Sequence, residues 1–170
     1  YLFGIGFFSA GTNWISNSLT FDENFKFLIP IALIFIPLFL GIFFGFGNLI
    51  VGPFLKNNFG SILLFSASFA AMDFLRAKIF TGFPWNLWAY TWSHTPEVLQ
   101  LLPILGFFSF NLICIIIYCS FLLLIFKKKI NKIIFILIAL ISFSNYIYGS
   151  SIIKNNDKYL EKIELNSENS

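Results

Sequence analysis

Residues 27–55 read FLIPIALIFIPLFLGIFFGFGNLIVGPFL, 29 positions without one ionisable side chain. A hydrocarbon core of ~30 Å is crossed by about 20 helical residues. Inside it every backbone polar group must be bonded within the structure, which leaves helices and closed barrels. Barrel strands are short, about 10 residues, and alternate in polarity; this run does neither, so it predicts a transmembrane helix. Working outward, residues 1–21 carry no charge before Asp22, Glu23 and Lys26 interrupt. Residues 57–80 are uncharged until Asp73, Arg76 and Lys78 near their end, residues 98–126 are again uncharged, and so are residues 133–153. The expected spans are about 1–20, 27–51, 59–80, 99–126 and 132–150, with room for the first to be incomplete. The predicted fold class is all-α, a polytopic transmembrane helix bundle of about five spans.

Composition agrees. Apolar residues make up 58% of the 170 and charged residues 11%, against roughly 25% charged in soluble domains. A water-soluble fold of this length leaves too much of its surface wet to hide so much apolar area. The net charge of +3 is small and dispersed, which argues against nucleic acid as a partner. The chain opens inside an apolar stretch at Tyr1 and stops in polar sequence, so it is expected to be a fragment of a larger protein.

Within the second span, Gly41 and Gly45 stand four apart, a spacing that lets helix backbones approach closely in lipid; ordinary helix packing is the expected role. Pro37 in the same span predicts a kink, because proline removes a backbone donor. Orientation follows from Lys127, Lys128, Lys129 and Lys132, a tight basic loop with no acid nearby, which the positive-inside rule puts on the cytoplasmic side. A bare count of basic residues, five on that side and six on the other, does not decide the matter; the density of the cluster does.

The densest chemistry lies at the end of the third span, from Asp73 through Arg76, Lys78 and Thr81-Gly82-Phe83-Pro84-Trp85-Asn86 to Trp88, Tyr90 and Trp92. Asp73 and Arg76 are three apart and pair on a helix. Charges within a membrane segment mark a functional interior, unless both sit near the headgroups and snorkel. Gly82 and Pro84 read as a helix ending. On physics alone the crowded aromatic residues form an interfacial belt; a surface that receives a lipid chain is the sharper alternative.

The stretch from Asp73 to Tyr90, above all Thr81 to Trp85, resembles the "acid, two residues, Arg … Thr-Gly-Phe-Pro-Trp … Gly-Tyr" stretch of bacterial apolipoprotein N-acyltransferases. Ala10-Gly11-Thr12-Asn13-Trp14 is similar to that family's Gly-x-x-Trp element, and Leu102-Pro103-Ile104-Leu105-Gly106 to its "Ala-Pro-Ile-x-Gly" opening of the next span. Order and spacing agree over roughly residues 4–150. The chain departs at Asp73, where the family commonly has Glu, and at Ala77 and Ala89, where it commonly has Gly.

The resemblance implies a bacterial inner-membrane protein with its residues 127–132 cytoplasmic and residues 81–97 and 154–170 periplasmic. It implies a transmembrane domain over 1–153 and a polar linker over 154–170 toward a periplasmic nitrilase-like domain, bearing Glu, Lys and a nucleophilic Cys, that this chain lacks. The complete enzyme would take an acyl chain from a phospholipid donor onto that cysteine as a thioester, a two-step strategy suited to an activated thiolate. It would then pass the chain to the amino group of the diacylglyceryl-cysteine of an apolipoprotein acceptor. Substrate-side residues expected here are Trp85, Pro84, Phe83, Gly82, Arg76, Asp73 and Trp14, with Arg76 meeting a lipid phosphate. No catalytic residue, metal ligand or cofactor is expected within this chain.

The remaining candidates are weak. Cys114 and Cys119 lie in an apolar run, about 140° apart on a helix, so they share no face and read as structural. Ser93-His94 lacks the elbow of a serine hydrolase. A small transporter component would show a matching pair of broken spans, and a structural membrane subunit would need neither a repeat nor a catalytic domain; both stand as alternatives.

Overall fold

The computed structural model describes residues 1–79 and 82–168, with side chains through Ile163. It consists of helices, with no strand among the described residues. In chain order these are α1 (Leu2–Thr12), α2 (Ile15–Ser18), α3 (Ile29–Val51), α4 (Phe59–Lys78), α5 (Pro96–Leu99), α6 (Leu102–Leu105), α7 (Phe107–Ser120), α8 (Leu122–Ile125) and α9 (Lys129–Glu168). Among the described residues, four helical stretches are long and apolar enough to cross a membrane: Glu23–Phe54, Phe59–Lys78, Phe107–Ile125 and Lys129–Ile163. The first expected span is instead the 11-residue α1, about 16 Å at 1.5 Å per residue. The single turn of α2 follows it after Asn13 and Trp14, which keep right-handed helical angles.

The chain divides into two compact units, Tyr1–Trp88 and the described residues from Ala89 onward. In the first unit, Asp22 caps a 3₁₀ turn (Glu23–Leu28) by accepting from the Asn24 amide at 2.9 Å, and Glu23 pairs with Lys26 in the same turn. Pro30 occupies the first turn of α3, where its missing donor costs nothing. Pro37 lies inside the helix and is fully buried. Asn58 starts α4 by accepting from the Ser61 amide at 2.9 Å.

The glycines of α3 do what their spacing predicts. A Cβ on Gly41 would meet the Ile5 amide nitrogen at 3.1 Å, one on Gly4 would meet the Gly41 Cα at 3.0 Å, and one on Gly45 would meet the Tyr1 side chain at 3.2 Å. α1 and α3 therefore cross backbone to backbone. On another side of α3, the Ser68 hydroxyl donates to the Gly47 carbonyl at 3.0 Å, tying α3 to α4. Phe8, Phe44 and Phe69 fill the space between, with Phe44 centred 5.2 Å from Phe8 and 4.7 Å from Phe69. Gly41→Leu should open the α1–α3 crossing. Overpacking of this kind costs about 1–3 kcal/mol, so thermal unfolding of the purified chain in detergent should show a clear loss. A melting temperature equal to the parent's would mean the crossing does not carry the unit.

In the second unit the apolar run 99–126 is not one helix. α6 ends at Gly106, whose φ of 75° and ψ of 160° suit a residue without Cβ, and α7 begins directly after it. The Asn111 side-chain oxygen, fully buried, accepts from the Ala89 amide at 3.1 Å. Gly149 of α9 lies so close to α5 that an added Cβ would overlap the Glu97 carbonyl. α9 has 40 residues, about 60 Å of helix, and its apolar side chains Ile136, Leu137, Leu140, Ile141 and Phe143 are exposed as lipid-facing residues are. Up to Glu168, the tail expected as a polar linker is a continuation of this helix.

Candidate functional site: a loop held by a buried arginine

The site lies in the first unit, where α4 ends. Asp73 and Arg76 project from one face of its last turns and are 0% and 2% exposed. Their ion pair closes at 2.9 Å from Arg76 Nη2 to Asp73 Oδ1. A buried charge is stable only when paired and hydrogen-bonded, and Arg76 meets most of that demand with backbone, its Nε alone lacking an acceptor. Its Nη1 donates to the Phe83 carbonyl at 2.7 Å and to the Trp85 carbonyl at 2.8 Å. The Phe83 amide donates back to the Arg76 carbonyl at 3.1 Å. The guanidinium carbon lies 4.9 Å from the centre of the Phe8 ring and 5.8 Å from that of Phe83, within cation–π range.

The loop so held turns at Gly82, with φ of 77°. A Cβ there would come within 2.6 Å of the Ala77 carbonyl, so both conformation and space require glycine. Pro84 and Trp85 face outward, Trp85 at 51% exposure. Trp85 meets Trp14, itself 50% exposed, edge to face with ring centres 5.9 Å apart. Asn86 follows with φ of 58°, and its side-chain amide sits against Gly11, where any Cβ would overlap it. Leu87 is buried, and Trp88 stacks on Phe7 with ring centres 5.2 Å apart.

All seven residues expected on the substrate side, Asp73, Arg76, Gly82, Phe83, Pro84, Trp85 and Trp14, therefore belong to one local structure, while Thr81 lies outside the described residues. Of the two places that the sequence allowed the Asp73–Arg76 pair, an interior or a snorkelled position at the headgroups, the structure has the interior, with Arg76 Nη1 and Nη2 donating to protein oxygens. Desolvation decides this, because a guanidinium without such partners inside a helix bundle is costly. Asn86 was not singled out from sequence; the tolerance of asparagine for left-handed backbone is the signal that marks it.

Beside the loop is an apolar groove of about 390 Å³, lined by Ile15, Phe35, Phe39, Phe43, Ile79 and Phe83, with Arg76 as its charged member. That volume falls within the ~300–1,000 Å³ of small-molecule pockets. Among the described residues no three His, Cys, Asp or Glu side chains come together in a metal-binding group. Cys114 is buried in α7 and Cys119 half-buried.

The family profile "Apolipoprotein N-acyltransferase N-terminal domain" matches residues 1–122, which contain the whole of this site. The chain belongs to the apolipoprotein N-acyltransferase family. It is similar to the apolipoprotein N-acyltransferase of Brucella melitensis, with 33% identity over 69% of this chain and 22% of the relative. The corresponding figures are 32%, 71% and 23% for the Rhizobium etli protein, and 34%, 71% and 24% for the Rickettsia bellii protein. The chain thus spans less than a quarter of the length of these apolipoprotein N-acyltransferases. No solved structure matches it.

Proposed function

We propose that the chain forms the membrane part of an enzyme that transfers an acyl chain from a phospholipid to the N-terminal diacylglyceryl-cysteine of apolipoproteins in the bacterial inner membrane. The observation that carries this reading is the joining of two motifs of the family, Trp14 and the Phe83-Pro84-Trp85 loop, at one exposed aromatic surface beside an apolar groove. A surface of that kind suits a lipid substrate, since a chain lies in the groove while the polar end meets the ring edges and the loop. In this arrangement Trp85, Pro84, Phe83 and Trp14 touch lipid, and Gly82, Asp73 and Arg76 set the loop's shape. Residues 127–132 face the cytoplasm, and residues 81–97 and 154–170 the periplasm. The acid, base and nucleophile of the transfer belong to a further domain.

The test is acyl transfer from a radiolabelled phospholipid to a diacylglyceryl lipopeptide, run on residues 1–170 and on the protein carrying the family's catalytic domain. The longer protein should transfer and residues 1–170 alone should not. Transfer by residues 1–170 would place the chemistry inside this chain, and failure of the longer protein would remove the acyltransferase reading.

A further inference from the structure

The turn between α8 and α9 concentrates charge without a counter-charge. Lys127, Lys128, Lys129 and Lys132 are all exposed, and no acid stands in the first turn of α9. A helix N-terminus carries partial positive charge, so Lys129 and Lys132 add to a field that already repels them. Along the chain the nearest acids are Glu97 and Asp157. Asp157 stands 25 residues along α9 from Lys132, about 37 Å at 1.5 Å per residue. Glu97 packs against Gly149, 17 residues along α9 from Lys132 and about 25 Å away. Both distances exceed the ~8–10 Å over which charges act through physiological salt, so neither of these acids neutralises the turn.

Two further features describe what would. The exposed residues flanking the lysines are apolar: Leu124, Ile125, Ile130 and Ile133. Inside the turn Asn131 is 2% exposed, its backbone amide donates to the Lys128 carbonyl at 3.0 Å, and its side-chain nitrogen is buried without an acceptor. Ile125, Ile130 and Ile133 lie at the ends of helices apolar enough to cross a membrane, so a ligand that meets both them and the lysines is one already seated in the bilayer. A lipid satisfies both, with its phosphate among the ammonium groups at the positive end of the helix and its chains along Ile125, Ile130 and Ile133.

We infer that the α8–α9 turn is a binding site for the phosphate headgroup of an anionic glycerophospholipid in the adjoining leaflet. Juxtamembrane lysines near an anionic surface each contribute to attraction, equivalent to about fivefold in affinity per residue.

The experiment is native mass spectrometry of the purified chain released from mixed micelles containing phosphatidylglycerol and phosphatidylcholine in equal amounts. Retained phosphatidylglycerol should exceed phosphatidylcholine by about tenfold or more, and added salt should reduce the excess. Replacing all four lysines with Gln should bring the two lipids to parity, while the matching Lys→Arg set should keep the preference. Lys154→Gln with Lys158→Gln and Lys162→Gln, on the far part of α9, should leave it unchanged. Inorganic phosphate in the same range should not displace the lipid, since it lacks the chains. Parity in the parent chain, a preference that survives the four Gln substitutions, or displacement by inorganic phosphate would each overturn the inference. If the four-Gln chain fails to fold, the paired variants Lys127→Gln/Lys128→Gln and Lys129→Gln/Lys132→Gln replace it, each expected to lose part of the excess and each counting against the site if it loses none.

Discussion

Arg76→Met should destabilise the first unit by about 3–5 kcal/mol, the cost of breaking a buried ion pair by removing one member. Asp73, fully buried, loses its ion-pair partner, and the carbonyls of Phe83 and Trp85 lose the donor they share. Thermal unfolding in detergent reads the loss, and tryptophan fluorescence reads the loop, because Trp85 leaves Trp14 when its carbonyl is released. The double variant Asp73→Leu/Arg76→Met separates the two effects. Removing both charges together is often neutral or stabilising, so the melting temperature should recover much of its value. The fluorescence should not recover, because the loop still lacks its donor. A single Arg76→Met chain as stable as the parent would refute the buried-pair account.

Trp85→Ala has the opposite profile. Trp85 is half exposed and its own hydrogen-bonded group is its carbonyl, so truncating the ring should change stability little. In the protein carrying the catalytic domain, kcat/KM for acyl transfer should fall by about tenfold to a hundredfold, the range for losing a large aromatic anchor. Trp85→Phe should keep part of the activity by keeping a ring against Trp14. Unchanged kinetics in Trp85→Ala would reduce the residue to an interfacial anchor.

Charge-free length made the long helices legible. Residues 27–51 and 59–80 correspond closely to α3 and α4, because a bilayer imposes one minimum length on any helix that crosses it. The same criterion is blind to breaks. It passes over the end of α1 at Thr12, where the chain keeps near-helical angles and only the bonding loosens, and over Gly106, where a left-handed residue splits an apolar run. Helix in the tail was present in its Lys, Glu, Leu and Ile content, good to middling helix formers, but polarity drew attention to solvent instead. The Asp73–Arg76 pair followed from spacing alone. The acceptors at Phe83 and Trp85 did not, because a side chain that bonds main-chain oxygens across a turn leaves no trace in the identity of the residues it grips. Gly11 against Asn86 was hidden for a related reason: each is ordinary where it stands, and only their juxtaposition 75 positions apart gives either a purpose.

That anonymity of the grip has a consequence for how the site can change. Arg76 addresses positions 83 and 85 through atoms that every amino acid possesses, so at those two positions the loop is held by its backbone, while Gly82 and Asn86 set its turns. Variation at the aromatic positions can proceed without renegotiating the turn, and lineages can retune what they grasp while inheriting the same hand. A combinatorial library at positions 83 and 85 would sample recognition on a constant backbone, whereas variation at position 76 would erase the frame on which any of it is displayed.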